Sequence, residues 1–178
     1  MPVRSRPRPV MAAVGLAALA SITLAAPATA TQTKGQGLSG DLEKAYSATV
    51  KYKSEQAALD DGYLRTDECV EHETLGGMGY HYVNPANLGS TDPEKPAALL
   101  YADDKKGGRE LVAVEYVVPN EGRPTPLIFG REFDGPAVIP PVGDVFTLHA
   151  WIHKKNPKGV FTPYNPKVQC CPPEEAAS

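Results

Sequence analysis

The sequence predicts an α+β domain: one N-terminal amphipathic helix packed on a mostly antiparallel sheet of about four to six strands. Three observations predict it. Leu42, Ala45, Tyr46, Thr49, Tyr52, Gln56 and Leu59 recur at the i+3/i+4 spacing of a helix. Short apolar runs then follow one another, separated by clusters of Asn, Pro, Gly and Asp, the punctuation of antiparallel strands. Between two of those runs lies Asp103-Asp104-Lys105-Lys106-Gly107-Gly108, polar throughout, as a hairpin turn requires.

The first thirty residues are set apart. Arg4, Arg6 and Arg8 precede an uncharged run from Val10 to Ala26, and Pro27-Ala28-Thr29-Ala30 places small residues where signal peptidase reads them. Residues 1–30 are therefore expected to be a secretory signal peptide. The competing reading is a retained membrane helix, but the Ala-rich run falls short of the ~20 apolar residues that a span uses. No Cys adjoins the cleavage point and no Arg-Arg pair is present, so a lipid anchor and the twin-arginine route are not indicated. The expected product is a secreted, extracellular domain of about 150 residues, the usual size of one domain, with no membrane span in the mature chain.

Residues 31–40 are small and polar, as in a flexible leader. The single α+β domain is expected over 41–171. Its helix should run from Asp41 to Asp61, with Ser39 or Asp41 as N-cap and Gly62 as the stop. The strands follow as Gly79 to Val83, Ala98 to Ala102, Glu110 to Val118, Leu127 to Phe129 and Val145 to Lys154. The Pro- and Gly-dense stretch 119–144 reads as long surface connections. Residues 172–178 read as a disordered tail.

Charge narrows the partners. The whole chain carries 18 basic and 21 acidic residues, a formal −3, and loss of the three signal arginines takes this to −6. An acidic domain lacks the charge from which nucleic-acid binding draws its affinity, so no nucleic-acid partner is expected. Lys105, Lys106 and Arg109 read as a solvated hairpin tip. Three cysteines, Cys69, Cys170 and Cys171, would meet an oxidising compartment. Adjacent cysteines rarely bridge each other, so Cys69 should pair with Cys170 or Cys171. Closing a loop of about 100 residues is worth up to ~4.7 kcal/mol in the chain-entropy account. The spare thiol leaves a covalent dimer open.

Alternation selects the chemical candidates. His81 shares a side of its strand with Gly79 and Val83, while Glu115 shares one with Leu111, Ala113 and Val117 and has an equally apolar opposite face. Glu115 is thus a carboxylate in a strand covered on both sides, where an unpartnered charge is costly. His149, Trp151 and His153 fall on one side of the last strand, and Phe146, Leu148, Ala150 and Ile152 on the other. His81, Glu115 and His149 can then converge as two imidazoles and a carboxylate, a ligand set for a divalent metal such as zinc. The structural alternative is a hydrogen-bonded polar group within the core. His72, between two glutamates, and His153, beside two lysines, are expected in solvent. Tyr80, Tyr82, Tyr116 and Trp151 are candidates to line a ligand pocket. No Gly-x-Ser-x-Gly elbow is present, and Gly76-Gly77-Met78-Gly79 lacks the Lys-Ser/Thr ending of a phosphate loop.

Taken together, Gly79-Tyr80-His81-Tyr82-Val83-Asn84-Pro85, Val114-Glu115-Tyr116-Val117-Val118-Pro119 and Leu148-His149-Ala150-Trp151 resemble a family of uncharacterised secreted bacterial proteins of actinobacterial type. Ala98-Leu99-Leu100-Tyr101, Asn156-Pro157, Phe161 and the stretch from Asn165 to Cys170 extend the resemblance over roughly 46–170. It implies no activity and brings no catalytic residues. It implies an aromatic residue as the usual occupant of the His153 position, and Cys170 as the partner of Cys69. The function expected from the whole is a secreted, non-enzymatic module that binds a small ligand, a metal or an extracellular surface. The alternative is a metal-dependent hydrolase or other enzyme working through His81, Glu115 and His149.

Overall fold

The computed structural model describes residues 40–170; the signal segment, almost all of the leader, Cys171 and the tail lie outside the described residues. The expected single helix is divided. An α-helix, α1, covers Asp41–Thr49; a 3-10 turn follows over Val50–Lys53; a second helix, α2, covers Glu55–Asp60. Asp41 and Glu43 place negative charge at the positive end of α1. The break follows from Thr49, whose buried hydroxyl donates to the Ala45 carbonyl at 2.6 Å, a back-bond that bends helices. Ser54 then adopts an extended conformation at the entry to α2.

The fold is mixed α+β, with a six-stranded antiparallel sheet in the order β1-β2-β3-β4-β8-β7. Its strands are β1 (Cys69–His72), β2 (Gly76–Val83), β3 (Ala98–Asp103), β4 (Arg109–Pro119), β7 (Asp134–Ile139) and β8 (Gly143–Ala150). The short strands β5 (Leu127–Ile128) and β6 (Arg131–Glu132) pair only with each other. The β3–β4 hairpin closes through Asp104, whose carboxylate accepts from the Lys106 and Gly108 backbone amides.

Two strand expectations are corrected, and one strand is added. The 119–144 stretch is not all loop: β7 runs inside it as an edge strand, the place where a sheet tolerates its Pro136. Cys69–His72, four residues with little burial, forms the opposite edge β1. The last strand stops at Ala150 because the next amide, that of Trp151, turns away to the Val160 carbonyl.

Two bulges set which residues share a face. Between β3 and β4 the register slips at Leu100/Tyr101, so Leu111 packs with the helix-side core rather than with Ala113 and Glu115. Between β1 and β2 it slips past the Val70–Gly79 pair, leaving Met78 as the extra residue; Gly79 has a φ of +101°, and a Cβ there would stand 2.3 Å from the Tyr101 carbonyl oxygen. Only glycine fits there.

The helix-side face buries one continuous core. Ala45, Tyr52 and Ala58 meet Tyr82, Leu99, Tyr101, Val114, Tyr116 and Leu148. The other face carries two separate apolar clusters, one around Leu100, Ala113, Trp151 and Val168, the other around Ala97, Val117 and Val145. A disulfide joins Cys69 to Cys170 and ties the C-terminal segment to β1. Among the described residues, no helix is long and apolar enough to cross a membrane.

Candidate metal centre

The polar group lies on the face with the two separate clusters. Glu115 of β4 and His149 of β8 are direct cross-strand partners. On the other side of Glu115 stands Ala98 of β3, which in turn faces Val83 of β2. His81 lies two residues from Val83, one row along the pleat. Its imidazole reaches Glu115 diagonally, across strand β3, where the residue in the Glu115 row is alanine. Larger side chains at position 98 would fill that space.

His81 Nε2 lies 3.4 Å from one Glu115 carboxylate oxygen, and His149 Nε2 lies 3.7 Å from the other. One ligand atom from each of the three residues falls within 4.8 Å of the other two. The separations exceed those of good hydrogen bonds. Both ring nitrogens of buried His149 have no hydrogen-bond partner among the described residues. Burial pushes the Glu115 carboxyl up to about 8. Burial also drives the His81 imidazole down to about 4, partly opposed by the Gly79 carbonyl, and His149 down to about 3, with His81 adding to the effect. Burial thus favours the neutral form of all three side chains near neutral pH, where no ion pair compensates their burial. A divalent cation would reverse this balance by favouring the carboxylate and neutral imidazole lone pairs.

The aromatic candidates do not assemble a pocket. Tyr80, Tyr82 and Tyr116 are buried in the helix-side core, whereas Trp151 belongs to a cluster on the opposite face. Their polar atoms are committed: the Tyr82 hydroxyl donates to Glu55, that of Tyr116 to the Pro93 carbonyl, and the Trp151 indole to the Thr162 carbonyl. The Tyr80 hydroxyl bonds both Asp103 and the Cys170 carbonyl. Their size and amphipathic tips serve packing, because each tip meets an acceptor at the core boundary.

Two further expectations change. His153 is not in solvent; once the strand ends at Ala150, the chain swings it to the helix side, 2.9 Å from the Thr49 hydroxyl and beside the Tyr46 ring. Arg109 leaves the solvated tip, stacks 3.4 Å from the Tyr80 ring centroid and pairs with Asp103. His72 is exposed and ends β1. The residue that sequence reasoning missed is Ala98. Its only signal was being one of three alanines in the apolar run Ala97 to Ala102, which says nothing about what crosses above it.

No protein-family pattern matches the chain, and no curated protein or solved structure does either.

Proposed function

We propose that the chain is an exported, non-enzymatic protein that binds one divalent metal ion, zinc above all, through His81, Glu115 and His149. The observation that carries the reading is the buried His149 imidazole, unpartnered at both nitrogens and turned toward a carboxylate that also faces His81. Ligand atoms bound at zinc distances of about 2.0–2.1 Å in a tetrahedron stand about 3.3 Å apart. The two imidazoles stand 3.4 and 3.7 Å from opposite oxygens of Glu115, and one ligand atom from each residue lies within 4.8 Å of the others, so a small closing movement would bring the set to zinc distances. Two imidazoles and one carboxylate suit zinc and its transition-metal neighbours; calcium and magnesium call for oxygen shells. Export is supported by the charged, apolar and small-residue layout of residues 1–30 and by the Cys69–Cys170 disulfide, a bond that persists in oxidising compartments.

The hydrolase alternative has less support. No fourth acidic or imidazole side chain joins the group among the described residues to act as a general base. Two surface clefts, one beside Asp104, Lys105 and Lys167 and another beside Leu42, Phe129 and Phe161, are lined by none of the three donors.

The test is calorimetric titration of zinc into the metal-stripped exported protein, with elemental analysis of the same sample. One zinc per chain is expected, absent from the His81→Ala/His149→Ala double variant. Ala98→Leu, which keeps all three donors and fills the space between them, should also lose zinc while retaining its circular dichroism. Equal zinc binding in all three proteins would overturn the proposal. Non-reducing mass analysis of the sample reads the Cys69–Cys170 link and any covalent dimer through Cys171.

A further inference from the structure

The three donors are unequally sheltered: 19% of the His81 side chain is exposed, against 7% for Glu115 and 3% for His149. The topology explains the gradient. Strand β1 begins only at Cys69, which faces Tyr80, so the rest of β2 beyond Tyr80 is flanked by the irregular segment before β1, touching it where the Thr66 hydroxyl donates to the His81 carbonyl and where Leu64 bridges Val83. Elsewhere the group is enclosed. The sheet lies beneath it, the Trp151 and Val168 cluster occupies the rows on one side, and the Val117 and Val145 cluster those on the other.

We infer that a metal held by His81, Glu115 and His149 keeps one coordination position open on the His81 side, and that this position takes a small monodentate ligand of the water, hydroxide or azide class. The inference rests on the metal-binding reading and deepens it. Among the described residues the cluster offers three protein donors and no fourth, whereas zinc-like ions complete a tetrahedron with a fourth ligand. With no further donor among the described residues, solvent supplies that ligand in this inference. The narrow exposure limits its size: Glu115 and His149 are buried, and only the His81 side chain, 19% exposed, reaches toward solvent. A triatomic anion can enter beside the His81 ring, but a ring-bearing ligand would have to displace packed side chains, which close-packed interiors resist.

The experiment uses the exported protein loaded with one equivalent of Co(II), whose visible bands report its coordination. Titration with azide is expected to shift those bands to a saturating end point, while a phenyl-substituted imidazole leaves them unmoved. Stoichiometric Co(II) whose bands ignore azide would mean a closed centre and would overturn this inference while leaving metal binding intact. Bands that respond equally to both ligands would overturn the size restriction. Failure of the wild-type protein to hold Co(II) at all, or binding that survives in His149→Ala, would remove the metal-binding reading itself, and this inference with it.

Discussion

The two faces of the sheet solve the burial of polar atoms in opposite ways. On the helix-side face six buried tyrosines share one core, and every hydroxyl has a partner: Tyr52 bonds Asp61, Tyr63 the Pro96 carbonyl, Tyr80 Asp103, Tyr82 Glu55, Tyr101 the Tyr52 carbonyl and Tyr116 that of Pro93. On the other face, a carboxylic acid and two imidazoles separate two apolar clusters, and the most buried imidazole has no partner. The first arrangement is what stability selects, since a satisfied network rigidifies a core. The second is costly as it stands. Single unpartnered nitrogens also occur at Arg109, His153 and Asn165, but His149 is the buried side chain that lacks a partner at both of its nitrogens, and it does so beside a second imidazole and a buried acid, a concentration of cost that points to function.

The contrast can be broken from either side. The largest effect is expected from Tyr101→Ala, which empties a fully buried position on the helix side and should cost about 3–5 kcal/mol in urea unfolding. A loss below about 1 kcal/mol would show that this face does not carry the stability assigned to it. Next in size is zinc itself. At a hundredfold excess over its Kd it should raise the unfolding free energy by about 2.7 kcal/mol, an increment that vanishes in His149→Ala and survives in Tyr101→Phe.

Glu115→Leu gives a smaller and more telling change. Replacing an uncompensated buried acid by an apolar side chain of similar size should leave the metal-free protein within about 1 kcal/mol of wild type, or more stable, while abolishing the zinc response. The sign of its pH dependence follows from the raised carboxyl. With a folded pKa of about 8 against an ordinary value of 4.5, Glu115 contributes fully below pH 4.5, and that contribution is lost as pH rises through 8. The advantage of Glu115→Leu over metal-free wild type should therefore grow between those limits. A variant that is destabilised at every pH would make Glu115 a structural partner instead.

The smallest effect near neutrality belongs to His153→Phe. Burial, helped by Lys53, holds this imidazole down to about 4, so its contribution is present above pH 6.5 and lost as pH falls toward 4. The variant should match wild type at pH 7 and exceed it in urea midpoint at pH 5. A constant gap across that range would assign the difference to packing alone.

Local periodicity exposed much of the architecture. The apolar runs of β3 and β4 and the Asp104 turn were legible because a buried strand pair and a polar turn each leave their mark within a dozen residues. β1 and β7 were not, because edge strands are mostly exposed and carry little apolar signal; β7 even holds a proline. The helix break at Thr49 was hidden because it depends on a hydroxyl turning back on its own carbonyl. Of the candidate site, the phase of His81, Glu115 and His149 was readable strand by strand. Their meeting was not.

By itself, then, the sequence determined the α+β class, the central hairpin, the two-sided burial of Glu115 and the requirement that Cys69 find a distant partner. These follow from residue periods and turn chemistry, which are short-range. The strand order that sets His149 beside Glu115, the alanine beside the gap to His81, and the start of β1 at Cys69, which leaves His81 without a β1 partner, were decided by tertiary structure. Each depends on which strands become neighbours and in what register, a choice made by the packing of the whole sheet.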